Sequence, residues 1–167
     1  MPDTGAPWNL PYPAASDLVK DGAAAIQSLA EDVADGLDNA SLVKQVKQVV
    51  TTTNFTTSSA TAVDLTGVTV TVVPSDATNR IVMFFTCNHS NGASGNENYF
   101  QFRRDTTDLF EENAFEVSSN GGKVAAAMVF DEVASSTASR TYSIRTRTQG
   151  NTMTVSNSTL IVMEYAV

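Results

Sequence analysis

Residues 68–72 read Val68-Thr69-Val70-Thr71-Val72, and this alternation of valine with threonine decides the fold class. Successive side chains of a strand point to opposite faces, so the valines share a buried face and the threonines share a solvated one. Threonine suits the solvated positions because its β-branched side chain fits the pleat while its hydroxyl stays in water. The alternation returns in Tyr142-Ser143-Ile144-Arg145, and the apolar run Ile81-Val82-Met83-Phe84-Phe85 predicts a central strand.

Strand candidates follow one another from residue 46 to the C-terminus, with turn residues between them. The predicted strands are 46–57, 68–73, 80–89, 97–104, 107–117, 123–130, 140–148, 151–155 and 159–166. Eight or nine short strands with no helix between them predict a mainly β fold, an antiparallel β-sandwich of the jelly-roll type over residues 46–167. The segment 160–167 is largely apolar, which indicates that the second sheet or a neighbouring subunit covers it.

The character of the chain changes near residue 40. Three prolines fall within residues 7–13 and favour an extended Pro-rich arm over residues 1–15. Trp8 and Tyr12 belong to this arm, which is too short to bury them by itself. They are either interface anchors on another protein or packed locally against the start of the next segment.

Residues 16–40 are predicted to form an anchor or oligomerisation helix with Ser16 as its N-cap. Its apolar side chains include Leu18 and a narrow stripe at helical spacing, formed by Ile26, Leu29, Val33 and Leu37. A lone Ala-rich helix of about 20 residues is marginal in water. The helix therefore packs on its own β domain or associates with copies of itself, and we expect self-association.

The formal net charge of −8 is unevenly placed along the chain. Residues 1–40 contain seven acids and one base, whereas the remainder contains eleven acids and nine bases. The acidity therefore belongs to the helical segment, and it argues against nucleic acid or an anionic membrane as a partner. A mean hydropathy of −0.09 favours a folded chain, and neither a membrane-spanning run nor a secretory signal is apparent in the sequence.

No set of residues suited to catalysis or to a cofactor stands out. His89 and Cys87 are the single histidine and the single cysteine, and two potential ligands do not make a zinc site. No third partner for a catalytic triad is apparent, and the carboxylates clustered over residues 105–116 are typical of solvated loops and strand edges. We predict no enzymatic activity, no metal and no cofactor, with Cys87 buried as a small apolar residue.

Several stretches, in this order, resemble virion proteins of tailed bacteriophages. Asn9-Leu10-Pro11-Tyr12-Pro13, followed by Ser16-Asp17-Leu18-Val19-Lys20-Asp21-Gly22, is similar to the N-terminal anchor of phage tail and head appendage proteins. The β domain resembles the small sandwich that ends such proteins. The stretches that carry this second resemblance are Arg80-Ile81-Val82-Met83-Phe84, Phe102-Arg103-Arg104-Asp105, Phe130-Asp131-Glu132, Arg140-Thr141-Tyr142 and Thr159-Leu160-Ile161-Val162-Met163-Glu164.

One turn departs from this pattern, because the chain has Arg104-Asp105-Thr106 where the phage pattern has Arg-Asp-Gly. The resemblance implies a non-enzymatic virion component, often a homotrimer, on either the head or the tail. It carries no catalytic residue over to this chain.

The leading hypothesis is a fibre- or knob-like phage appendage, a homotrimer as the resemblance implies, with the arm and helix anchored in the particle. Its partners would be itself, other virion proteins of head or tail, and a host surface glycan or protein. It would be assembled in the host cytoplasm and released by lysis as part of the virion. Polar loops are the candidates for host contact, at Asn91, Asn96 and Asn120.

Two alternatives remain open. A capsid decoration protein would lay the β domain on the shell and stabilise it by clamping neighbouring capsomers. A carbohydrate-binding module would present aromatic side chains to a sugar, although the sole tryptophan, Trp8, lies in the arm.

Overall fold

The computed structural model describes residues 19–40, 42–109, 113–117 and 120–167. It divides into two compact units, Met1–Leu42 and Val43–Val167. The first unit contains helix α1 (Val19–Ala40), which confirms the predicted N-terminal helix. The predicted arm with Trp8 and Tyr12, the N-cap Ser16 and the predicted anchor residue Leu18 lie outside the described residues.

The second unit is built from strands. Those described are β1 (Val43–Thr51), β2 (Phe55–Thr57), β3 (Val63–Val72), β4 (Arg80–Asn91), β5 (Asn96–Arg104), β6 (Thr107–Asp108), β7 (Asn113–Val117), β8 (Val124–Val133), β9 (Arg140–Thr148) and β10 (Met153–Tyr165).

The strands form two antiparallel sheets, which confirms the predicted β-sandwich. The first sheet has the order β1-β10-β4-β8, with β2 also paired to β10. The second has the order β3-β9-β5-β6, with β7 also paired to β5. Successive strands repeatedly change sheet, as from β3 to β4, from β4 to β5 and from β8 to β9, which is the jelly-roll arrangement. Strand β4 lies between β10 and β8, so the apolar run that begins at Ile81 is indeed a central strand.

The structure divides two of the predicted strands and merges two others, and β3 begins five residues before the predicted strand 68–73. The predicted strand 46–57 divides into β1 and β2, and 107–117 divides into β6 and β7. The predicted strands 151–155 and 159–166 are instead the single strand β10. Ser156-Asn157-Ser158 reads as a turn, but the register against β4 shifts here and Asn157 adopts a φ of +49°. Asparagine tolerates this left-handed conformation, so the strand accommodates a bulge instead of ending.

The core lies between the two sheets and takes alternate residues from each strand. On the first sheet Ile81, Met83 and Phe85 point inward, and on the second Phe100 and Phe102 meet them. The rings of Phe85 and Phe100 lie 5.6 Å apart between centroids, a distance typical of favourable aromatic contact. Burial of this alternating set is the main source of stability for the sandwich.

One carboxylate is fully buried where β10 ends. Oε1 of Glu164 accepts hydrogen bonds from the backbone N–H and the hydroxyl of Ser75, both at 2.7 Å, and from Nδ2 of Asn79 at 2.6 Å. Its Oε2 accepts a hydrogen bond from Gln45. Burial by itself would raise the pKa of Glu164, but these donors outweigh it and lower the pKa to about 2. The carboxylate thus ties β1, β10 and the loop between β3 and β4 together.

Candidate self-association surfaces

The outward side of the first sheet is largely apolar. Antiparallel pairing aligns its side chains in rows, one of which runs Ile161–Phe84–Val129 across three strands. A parallel row places Val46 beside Met163. We call this surface the apolar face and define it by Val46, Val50, Val82, Phe84, Ala127, Val129, Ile161 and Met163.

Several members of the apolar face are open to solvent. Their exposed fractions run from 41% for Phe84 to 61% for Val129, with Val46 and Val50 close to the upper value. Single exposed apolar residues are ordinary on protein surfaces, but a contiguous patch marks an interaction site. The apolar face is therefore a candidate contact surface.

The outward side of the second sheet has the opposite chemistry. Arg103 Nη1 lies 2.8 Å from Oδ1 of Asp64, and Arg145 Nη1 lies 2.9 Å from Oδ2 of Asp108. The guanidinium of Arg147 stacks on the Tyr99 ring, with its carbon 3.7 Å from the ring centroid. Such paired charges are typical of a solvated surface, so the two outward sides of one sandwich serve different environments.

The helix carries a second apolar surface. Along α1, Ile26 is 64% exposed, Leu37 is 69% exposed and Val33 is also exposed, while Leu29 is half-buried. These side chains lie three or four positions apart and therefore on one side of the helix. Gln27 Nε2 on a different side donates to Oε1 of Glu31 at 2.8 Å, an exposed pair one turn apart. None of the described residues forms a helix whose length and apolar content would allow it to span a membrane.

Asn91 does not face outward, and its prediction as a host-facing residue is wrong. It is buried at the end of β4, where Nδ2 donates to Oδ1 of Asn98 at 2.9 Å and to Oγ1 of Thr148 at 2.8 Å. Its Oδ1 accepts the backbone N–H of Ala93 at 3.2 Å. The amide thus organises the loop between β4 and β5 from inside, a role that polarity in the sequence does not distinguish from exposure.

The two other predicted loop residues occupy different environments. Asn96 is half-buried, with Nδ2 donating to the carbonyl of Gly150 at 3.1 Å, which connects the β4–β5 and β9–β10 loops. Asn120 is exposed in the turn before β8. Of the three, Asn120 alone has a side chain that is open to solvent, and its contact with a host surface stays a prediction.

His89 and Cys87 both point into the core, as their spacing predicts. Nδ1 of His89 lies 2.9 Å from Nδ2 of Asn98, and the imidazole meets the rings of Phe100 and Phe115 edge-on. Burial lowers the pKa of His89, and burial raises the pKa of Cys87 to about 12. Burial thus keeps the imidazole neutral and Cys87 a thiol at neutral pH, so the thiol is not activated as a nucleophile.

The apolar face was not recognised from the sequence, although a signal for it exists. The apolar run Ile81 to Phe85 predicts a central strand, and this prediction leaves open which of its side chains point outward. In a sandwich, however, a central strand has only one side toward the core, so Val82 and Phe84 must point outward. The same holds for Ile161 and Met163 in β10.

No protein-family model matches the chain, and no curated protein matches it in sequence. Among solved structures, the infectious bursal disease virus VP2 subviral particle matches with a TM-score of 0.53 and 11% identity, over 72% of this chain and 33% of that one. T=1 particles derived from the same virus match with a TM-score of 0.51 and 9% identity, over 72% and 31%. Eiger TNF from S. frugiperda matches with a TM-score of 0.43 and 8% identity, over 72% and 93%.

The chain thus spans about a third of the length of the viral proteins that it matches. At 9–11% identity the likeness concerns the fold alone. The jelly-roll sandwich found here is therefore of the kind seen in those viral particle proteins.

Proposed function

We propose that this chain is a non-enzymatic structural component of a bacteriophage virion, a homotrimeric fibre- or knob-like appendage. The N-terminal unit anchors it to the head or tail, and the sandwich is exposed for attachment to the host. It acts as part of the virion after assembly in the host cytoplasm and release by lysis.

One observation carries this proposal: α1 belongs to a compact unit of its own and presents an unpartnered apolar stripe. Ile26 and Leu37 are each more than 60% exposed, so a partner helix or a particle protein would bury a substantial apolar area there. An amphipathic helix that offers anchors at such spacing is a common recognition element. The fold likeness to viral particle proteins supports a structural role.

Incorporation into particles tests the anchoring role. Virions purified from a stock of the phage that encodes the chain should contain it, and Ile26→Asp should remove it. Ala24→Asp is the matched control, because Ala24 is exposed on the opposite side of α1 only two positions away. Equal incorporation of both variants, or absence of the wild-type chain from purified virions, would show that α1 is not an anchor.

Capsid decoration is the second candidate function, and the apolar face is the observation that favours it. In that arrangement the face would lie on the shell instead of projecting with the sandwich. The decoration role predicts that the chain added to preformed shells raises their melting temperature, whereas an appendage leaves it unchanged.

Binding of carbohydrate has less support in the described residues. Tyr142 is buried with its hydroxyl donating to Glu132, and Arg147 covers the ring of Tyr99. Stacking on a sugar requires an open aromatic ring, and in the sandwich Tyr165 is the remaining tyrosine that reaches solvent. Host attachment through a protein contact is therefore the form of the proposal that we favour.

A further inference from the structure

We propose that the apolar face is the surface through which the β-sandwiches of neighbouring copies of this chain pack against one another. The inference rests on the proposed function, which makes the protein a homotrimer, and names the part of the sandwich that the trimer buries. Its occupants are the other two copies of the same chain, whose equivalent faces meet around the three-fold axis of the trimer.

Electrostatics permit identical faces to meet. Arg80 and Asp131, at one end of the apolar face, form an ion pair and together add no net charge there. The rows that cross the face from β1 to β8 otherwise contain aliphatic side chains, Phe84, Tyr165, threonines and Gln48. Two copies can therefore approach without bringing like charges together, although the chain as a whole carries a net charge of −8.

The mostly uncharged chemistry of the apolar face also disfavours a charged protein or a glycan as its binding partner. A basic or acidic partner would find no complementary charge on the apolar face, whereas the second sheet offers several charged groups. A glycan would need hydrogen-bonding groups beside an open aromatic ring, and the centre of this face offers Phe84 among aliphatic neighbours. The chemistry thus fits another aliphatic surface, and each copy carries one.

The apolar face is too small to form a stable interface between copies by itself. The face spans four strands and about five residues along each, roughly 19 Å by 16 Å, or about 300 Å² in projection. A stable interface buries about 800 Å² per partner, so the face alone is too small. The exposed stripe of α1 runs about 17 Å from Ile26 to Leu37 and supplies further apolar area.

The other copies offer a partner for each of the two surfaces. Helix α1 ends at Ala40 and β1, an edge strand of the sheet with the apolar face, begins at Val43. Every copy therefore carries the two apolar surfaces on one short connection. Once helices associate, the sandwiches are held at high effective concentration, and a small face becomes sufficient for contact.

Light scattering of the full chain tests the inference through charge insertion. Val129→Glu and Val46→Glu place a carboxylate on β8 and β1 of the apolar face, at opposite edges of the sheet. Val73→Glu is the matched control, because Val73 is 55% exposed and follows β3 in the other sheet. Thermal melting of each variant verifies that the sandwich is folded. Because the two face variants change different strands, the second still gives a result if the first does not fold.

We expect the wild-type chain and Val73→Glu to have about three times the 17.7 kDa chain mass at micromolar concentration. The two face variants should dissociate at concentrations about 100-fold higher than wild type, an effect of the size seen when an interface centre is disrupted. The inference is overturned if the folded face variants keep the wild-type mass. It is equally overturned if Val73→Glu dissociates as readily, or if the wild-type chain is monomeric.

Failure of this inference and failure of the proposed function give different experimental results. A wild-type monomer that still enters purified virions would leave anchoring intact and remove the copy–copy contact. A trimer sensitive to Val129→Glu but absent from virions would keep the contact and remove the virion role.

Discussion

Replacement of the buried Glu164 by glutamine should destabilise the sandwich by about 3 kcal/mol at pH 7. In the wild-type chain the carboxylate accepts hydrogen bonds from Ser75, Asn79 and Gln45, all of them donors. Glutamine keeps the shape but offers one acceptor oxygen, and its own amide N–H groups would face the donors. Buried donors left without an acceptor each cost about 1–3 kcal/mol.

The pKa of Glu164 gives an independent estimate of the same magnitude. It lies at about 2 in the folded chain against an ordinary value of 4.5, a difference that corresponds to about 3 kcal/mol of folding free energy. Because the folded-state pKa is the lower one, this stability is fully present above about pH 4.5. It is lost as the pH falls from there through about 2, and about 1.5 kcal/mol should remain at pH 3.

Urea unfolding at pH 7 and at pH 3 measures both effects. The difference in unfolding free energy between wild type and Glu164→Gln should shrink by about half from pH 7 to pH 3. Glu116→Gln, which changes an exposed carboxylate of the same type, should differ from wild type by less than about 0.5 kcal/mol. If the unfolding free energies of wild type and Glu164→Gln differ little at pH 7, or differ equally at both pH values, the buried carboxylate does not stabilise the sandwich as argued.

Three further outcomes can be checked in the same preparations. Asn91→Ala should lower the unfolding free energy by about 1–3 kcal/mol, because Asn98 and Thr148 lose a buried partner, and an unchanged urea midpoint would contradict that role. His89 has a lowered pKa through burial, so unfolding free energy should fall as the pH drops below about 6.5, and His89→Phe should flatten this slope over pH 5–7. Cys87, with a pKa of about 12, should react with a maleimide only after urea is added, and rapid modification of the native chain would show that the thiol is accessible.

Alternation in the sequence was sufficient to predict the sandwich but not the boundaries of every strand. Val68 to Val72 lie in β3 with the valines inward and the threonines outward, as the period-two pattern requires. The bulge in β10 was misread because Ser156-Asn157-Ser158 has the composition of a turn. Whether such a segment ends a strand or bulges within it depends on the pairing of both flanks with β4, which is a long-range property.

The loop asparagines show where sequence reasoning about the site was limited. Asn91 and Asn120 have the same chemistry and both adjoin Gly-rich loops, yet one is buried and the other is exposed. The difference arises because Asn98 and Thr148, from two strands of the opposite sheet, meet Asn91 across the core. No local pattern contains that information, since the partners are 7 and 57 positions away.

The two outward sides of the sandwich connect the fold to assembly. Both arise from the same strand periodicity, so folding of a lone sandwich does not require them to differ. One side nevertheless pairs Asp64 with Arg103, which keeps it solvated and discourages association. The other places Phe84 and Val129 in an uncharged row, which raises the free energy of an isolated copy in water. Because that cost would disappear if the faces of neighbouring copies met, the asymmetry supports the proposed association through the first sheet, which would leave the second sheet and its loops available to other partners.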